Sequence, residues 1–141
     1  MIDLVLQSDA KGCCVAVLAM VTGKSYLAVK SETADLWKEG GSDYRINQYL
    51  ADHGFAVQYH YHYDQFKIEA TEEHGTRYGL KDGPWPLPPF APAHILLTRN
   101  EVMSHWIVMG PDGEILDPVF GRGRDTSQYE VTKMIGIWKV K

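Results

Sequence analysis

One stretch constrains this chain more than any other. Gln7-Ser8-Asp9-Ala10-Lys11-Gly12-Cys13-Cys14 runs without a break into Val15-Ala16-Val17-Leu18-Ala19-Met20-Val21. A polar, glycine-containing loop thus delivers a thiol to the first turn of a helix that is apolar all round. A helix without a polar face is buried in a core, so the rest of the chain has to wrap around it. Cys13 enters at the helix N-terminus, where the peptide dipoles present their positive end and the first N–H groups lack partners. Both effects favour thiolate over thiol, the form in which a cysteine becomes a nucleophile. Gln7, six residues upstream, carries an amide able to donate to a developing oxyanion.

The 141 residues fit one domain, 1–141, with no linker to split it. A hydrophobic content of 45% is enough for a core. The net charge of -4 is spread along the chain, and no basic tract points to a nucleic-acid partner. The two cysteines are adjacent, at a separation too short for ordinary disulfide geometry, which implies a reducing compartment. No signal peptide is visible. The longest apolar run, Cys13 to Val21, is far short of the ~20 residues of a membrane helix. These features lead us to expect a soluble, cytoplasmic protein with no membrane partner; the oligomeric state stays open.

Met1 to Val5 reads as an edge strand or an extended lead-in. A first helix spans about Gly12 to Val21 and stops at Gly23. Ser25 caps a second, patterned by Tyr26, Leu27, Val29, Ala34, Leu36 and Trp37 and ending at Gly40-Gly41. Ser42 or Asp43 caps a third, with Tyr44, Ile46, Tyr49 and Leu50 on its buried face and Gly54 at its end. The period then switches to two over Phe55 to Tyr63, with tyrosines on one face and His60 and His62 on the other. Asp64 to Asp82 reads as irregular or partly helical. Gly83 to Pro92 holds five of the seven prolines and reads as an extended surface loop. Strands follow at Ala93 to Thr98, His105 to Met109, Glu114 to Leu116 and Gly136 to Val140. Pro111-Asp112-Gly113 forms a hairpin turn, and Gly121 to Asp125 a flexible loop. Helices first and sheet second define an α+β domain, with N-terminal helices packed on a C-terminal antiparallel sheet.

A thiol nucleophile needs a base, and the base needs an orienting group. His105 opens an apolar strand, Trp106-Ile107-Val108-Met109, and the hairpin returns Asp117 roughly opposite it. The Asp117 carboxylate can there fix the imidazole tautomer. Each assignment has a plainer rival. Free cysteines are often small core residues, the reading we give Cys14. His105 can be a strand-edge histidine bonded to backbone, Asp117 a turn residue before Pro118, and Gln7 a solvated loop amide. His94 is a rival base without a closely following Asp-Pro hairpin. His60-Tyr61-His62 is a metal half-site without a clear third ligand, so no metal and no cofactor are expected. Trp85, Trp106 and Trp138 read as packing residues, with Trp85 able to line a cleft. Gly121-Arg122-Gly123-Arg124 reads as a solvated loop, or a contact for an acidic substrate group.

The run from Gln7 through Cys13 to Met20 resembles the active-site segment of papain-like cysteine peptidases. It is most similar to those that cleave bacteriocin leaders after a double glycine, and to their stand-alone relatives. Ser42 to Phe55, Leu87 to Leu97, and His105-Trp106-Ile107-Val108-Met109 through Leu116-Asp117-Pro118 resemble later parts of the same family. The resemblance implies a papain-like fold, with Cys13 as nucleophile, His105 as general base and acid, Asp117 as orienter and Gln7 as oxyanion donor. It also implies a peptide or protein substrate. Two positions depart from the family: Cys14 stands where glycine is usual, and His105 and Asp117 are closer in sequence. No transporter segment accompanies the domain, so cleavage coupled to export is not expected. The same residues also suit two other functions: a module that binds a peptide or partner protein without turnover, and acyl transfer to an amine, as in transglutaminase-like chemistry.

Overall fold

The computed structural model describes residues 2–33, 43–60, 66–71, 75–80, 91–99, 104–124 and 128–140. Its helices are α1 (Cys13–Thr22), α2 (Tyr26–Glu32) and α3 (Asp43–Asp52). Its strands are β1 (Phe55–His60), β2 (Phe66–Thr71), β3 (Gly75–Leu80), β4 (Ala93–Arg99), β5 (Ser104–Met109), β6 (Ile115–Leu116) and β7 (Glu130–Lys139). Five strands form an antiparallel sheet in the order β1-β7-β4-β5-β6, and β2 pairs with β3 apart from it.

The apolar sequence of α1 has the consequence expected of it. Every side chain from Cys13 to Met20 is buried. Gly23 ends the helix in the left-handed conformation, φ 76°, and its N–H donates to Ala19 O at 3.0 Å. The helix lies against one face of the sheet, where Ile95, Trp106, Val108, Leu116, Ile135 and Ile137 share its core. Leu96, Ile107, Met109, Ile115 and Met134, the alternate residues of the same strands, form a second buried cluster. Apolar residues on both faces make the central strands continuous hydrophobic runs.

Ser25 caps α2 through Oγ, which accepts the Ala28 N–H at 3.1 Å. The helix stops at Glu32 and does not extend toward Gly40-Gly41. Thr33 leaves helical geometry, φ -129° and ψ 42°, and its Oγ1 donates to Val29 O at 2.6 Å. Ala34, Leu36, Trp37, Gly40 and Gly41 lie outside the described residues. Of the apolar residues that pattern this helix, Tyr26 and Val29 are buried and Leu27 is exposed. In α3, Ile46, Tyr49 and Leu50 are buried as expected, whereas Tyr44 is exposed because the buried stripe begins two residues later, at Ile46.

Of the two readings of Met1 to Val5 the structure takes the extended lead-in and not the edge strand, with Ile2, Leu4 and Val5 packed along the core. Other expectations need correction. The span from Asp64 to Asp82 contains the β2–β3 hairpin. The period-two alternation is present in Phe66-Lys67-Ile68-Glu69-Ala70, but Gly75 and Gly79 weaken it in the partner strand, and the sequence reading passed over it. Strand β7 begins at Glu130 and not Gly136. A register shift where it meets Leu97 and Thr98 breaks the alternation that would have marked its first half. Strand β6 excludes Glu114, whose carbonyl accepts the Gly110 N–H at 2.8 Å and closes the turn. Gly113 takes φ 79° there, a conformation natural to glycine. Most of the proline-rich span, including Trp85, and also His62, lie outside the described residues. Among the described residues, no single helix is long and apolar enough to cross a membrane, and no metal-binding group of His, Cys, Asp and Glu occurs.

Candidate active site

Cys13 is the first residue of α1 and is 8% exposed. Gly12 precedes it without a side-chain cap. A Cβ at Gly12 would stand 2.0 Å from the Tyr26 hydroxyl, so any larger residue forces that hydroxyl to shift. That hydroxyl donates to Asp9 Oδ2 at 2.7 Å, and Lys30 Nζ donates to Asp9 Oδ1 at 3.1 Å. Burial and the Asp9 bond push the Tyr26 phenol up to about 12, so it keeps its proton as a donor. The Asp9 carbonyl accepts the Gly12 N–H at 3.0 Å. These contacts anchor the loop on α2 and hold the start of α1 in place.

Cys14 points into the core, with no exposed surface. Burial, reinforced by the neighbouring Cys13, pushes its thiol up to about 12. It is a packing residue, as its sequence context suggested.

His105 sits near the start of β5, and its carbonyl accepts from Thr98 Oγ1 at 2.9 Å. Its Nε2 is 2.8 Å from Asp117 Oδ1. With Nε2 so engaged, Nδ1 is the nitrogen left for the Cys13 thiol. Burial opposes the charged ring, but hydrogen bonds to Asp117 and to Cys13 outweigh it and push His105 up to about 9.

Asp117 is fully buried. Its Oδ1 also accepts the N–H groups of Val119 at 2.8 Å and Phe120 at 3.1 Å, and its Oδ2 accepts the Tyr129 hydroxyl at 2.7 Å. Burial works to raise the carboxyl. The hydrogen bonds from His105, Tyr129 and the two amides prevail and hold it well below the usual carboxylate range.

The hairpin expectation holds with one adjustment. Val108 pairs with Leu116 and Met109 with Ile115. Continuing that register puts Asp117 beside Ile107, so Asp117 is the diagonal neighbour of His105. Diagonal pairs are roughly 7–8 Å apart, within reach of an imidazole and a carboxylate. The spacing of twelve residues is therefore met by a tight turn. His94 is buried on β4 beside Met109, while His105 pairs with Thr98. Four residues separate the two positions along β4, roughly 13 Å, which keeps His94 away from Cys13.

Gln7 is placed differently from the expectation. Its Nε2 donates to Asp9 O at 2.9 Å and to Ala10 O at 3.2 Å, while Oε1 is buried without a hydrogen-bond partner. Both amide hydrogens thus shape the loop, and the lack of a partner for Oε1 holds among the described residues. The Gln7 backbone N–H donates to Pro118 O at 3.0 Å, tying the cysteine loop to the Asp-Pro turn.

Residues 121–124, expected as a flexible loop, carry defined contacts. Asp117 and Gly121 form a bridge, Arg122 pairs with Glu114, and the Arg124 guanidinium lies 3.7 Å over the Phe120 ring. Arg122 is therefore satisfied within the chain. Sequence reading missed Tyr129, because no local motif marks a hydroxyl aimed at a carboxylate twelve residues away. It also missed the Asp9–Tyr26–Lys30 anchor, although all three residues lie in segments it had singled out.

Two concavities lie elsewhere. One, of about 380 Å³, is bordered by Glu32, Arg45, Gln48 and Tyr49. The other, of about 450 Å³, is bordered by Met20, Phe55, Pro92 and Trp138. Neither includes Cys13 or His105. The chemistry-bearing groups Cys13, His105 and Asp117 converge outside both.

No family model and no curated protein matches this chain. A structural match is found with the crystal structure of a double glycine motif protease from an AMS/PCAT transporter in complex with the leader peptide. The TM-score is 0.62 at 17% sequence identity, over 100% of this chain and 93% of that one. The shared architecture is α+β, with N-terminal helices on a C-terminal antiparallel sheet as in papain-like peptidases. At this identity the likeness defines the fold, which is peptidase-like.

Proposed function

We propose that this chain is a cysteine peptidase that hydrolyses a peptide or isopeptide bond. The observation that carries the reading is the 2.8 Å bond from a raised His105 to a buried, ionised Asp117, beside the thiol at the start of α1. His105 takes the Cys13 proton, and the thiolate attacks the scissile carbonyl. The backbone N–H of Cys13 and the Gln7 amide hold the oxyanion; Gln7 first turns one hydrogen away from Asp9 O or Ala10 O. The C–N bond breaks as His105 passes its proton to the leaving amine. Water, deprotonated by His105, then hydrolyses the thioester and restores Cys13. Asp117 stays ionised and fixes the ring.

The solved protease carries a leader peptide, which supports a peptide as substrate here. The test is cleavage of a peptide library, with iodoacetamide labelling of the folded protein. Cleavage and a label on Cys13, both lost in Cys13→Ala and retained in Cys14→Ala, are expected. Full cleavage by Cys13→Ala would overturn the reading.

One observation favours a second reading, a module that binds peptide without turnover: the Gln7 amide is already bonded within its loop. Peptide binding that is unaffected by Cys13→Ala, with no cleavage by the intact protein, selects it. Acyl transfer uses the same groups and is separated by a product carrying an added primary amine.

A further inference from the structure

The two oxygens of Asp117 have different work. Among the described residues, Oδ1 meets His105 Nε2 and the N–H groups of Val119 and Phe120, and Oδ2 meets the Tyr129 hydroxyl. We propose that Tyr129 is a positioning residue that acts through Asp117: its hydroxyl draws carboxylate charge away from the His105 bond and so limits how tightly the ring holds its proton. The catalytic meaning of this rests on the peptidase reading; the effect on the ring does not.

The turn that follows Asp117 separates holding from tuning. Val119 and Phe120 fix Oδ1, and the Asp117–Gly121 bridge closes the turn with backbone bonds of 2.8 and 3.0 Å. Oδ1 therefore stays beside His105 whether or not Tyr129 contributes. What Tyr129 changes is the charge that Oδ1 presents. A carboxylate stripped of a donor is a stronger base, and a stronger base strengthens its grip on the proton of the ring.

Tyr129 remains a donor across the working range. Burial and the Asp117 bond both raise its hydroxyl above the ordinary tyrosine value, and Arg124 opposes them in part. Arg124 stacks on Phe120 at 3.7 Å and stands 5.8 Å from the Tyr129 ring. Among the described residues, the charged and titratable groups gathered on the His105–Asp117 pair are therefore Cys13, Tyr129 and Arg124. A ring that must accept a proton and release it works best when neither state is locked. Tyr129 moderates a carboxylate that would otherwise lock the imidazolium.

The experiment is an NMR titration of the His105 ring nitrogens in the intact protein and in Tyr129→Phe, alongside peptide-cleavage kinetics. Removal of the hydroxyl is expected to raise the His105 midpoint by about 0.5–1 in pH. It is also expected to lower kcat several-fold at unchanged KM. A residue that merely packs beside Asp117 would leave the midpoint where it is, or lower it by loosening the pair; either result overturns the proposal. If Tyr129→Phe does not fold, 3-fluorotyrosine placed at position 129 decides. A stronger donor lowers the midpoint if the proposal holds, and an unmoved midpoint refutes it. A raised midpoint in Tyr129→Phe without cleavage by either protein supports the tuning role and removes the peptidase reading instead.

Discussion

Asp117→Asn isolates charge from shape. The side chain is fully buried, and its Oδ1 collects the bond to His105 and two backbone N–H groups. An asparagine oxygen can keep all three. Its Nδ2 then faces the Tyr129 hydroxyl, which turns from donor to acceptor. The fold should survive while the negative charge disappears. The rise of His105 from 6.5 to about 9 corresponds to about 3 kcal/mol of preference for the charged ring. Burial opposes that preference, and Asp117 and Cys13 supply it. Without the carboxylate, burial faces Cys13 alone. The midpoint should drop toward 6.5, by at least about one in pH. The assay is a long-range ¹⁵N–¹H titration of the histidine rings, with His105 assigned by its absence in His105→Ala. Far-ultraviolet circular dichroism checks the fold. A ring that still titrates near 9 in well-folded Asp117→Asn would refute the electrostatic account of this pair.

Two further outcomes follow from the same contacts. His105 contributes stability that is fully present below pH 6.5 and lost as pH rises through about 9, while the contribution of Asp117 is present above 3.8 and lost as pH falls below it. Urea midpoints should therefore plateau between about pH 4 and 6.5 and decline toward 9; a flat profile from 6.5 to 9 would contradict the raised ring. Gly12→Ala should destabilise the protein by about 1–3 kcal/mol through overpacking against Tyr26, whose hydroxyl would lie 2.0 Å from the new methyl. Wild-type stability to urea would show that the loop does not approach α2 as described.

Much of the site was legible because its signals are local. The Cys13 loop and α1 share one continuous stretch, and residues 13–20 are apolar enough that burial follows whatever surrounds them. His105 and Asp117 flank a turn marked by Pro111-Asp112-Gly113, so a short hairpin had to bring them near each other. The rest was hidden where local patterns are overridden. The β7 alternation breaks at its register shift with β4. Tyr44 and Leu27 follow helical periodicity and still face solvent, because periodicity names a stripe and leaves its edges to the neighbouring elements.

The sequence by itself determined a buried helix led by a thiol, a histidine strand and its Asp-Pro return, and the order of helices before sheet. Tertiary structure alone decided that His105 and Asp117 meet diagonally, that the Gln7 amide turns into its own loop, and that Tyr129 closes the carboxylate from behind. The division has a physical cause. Periodicity and turn chemistry act over a few residues and are written in the chain, whereas a hydrogen bond between distant side chains exists only once register and packing have fixed both of them to within a fraction of an ångström.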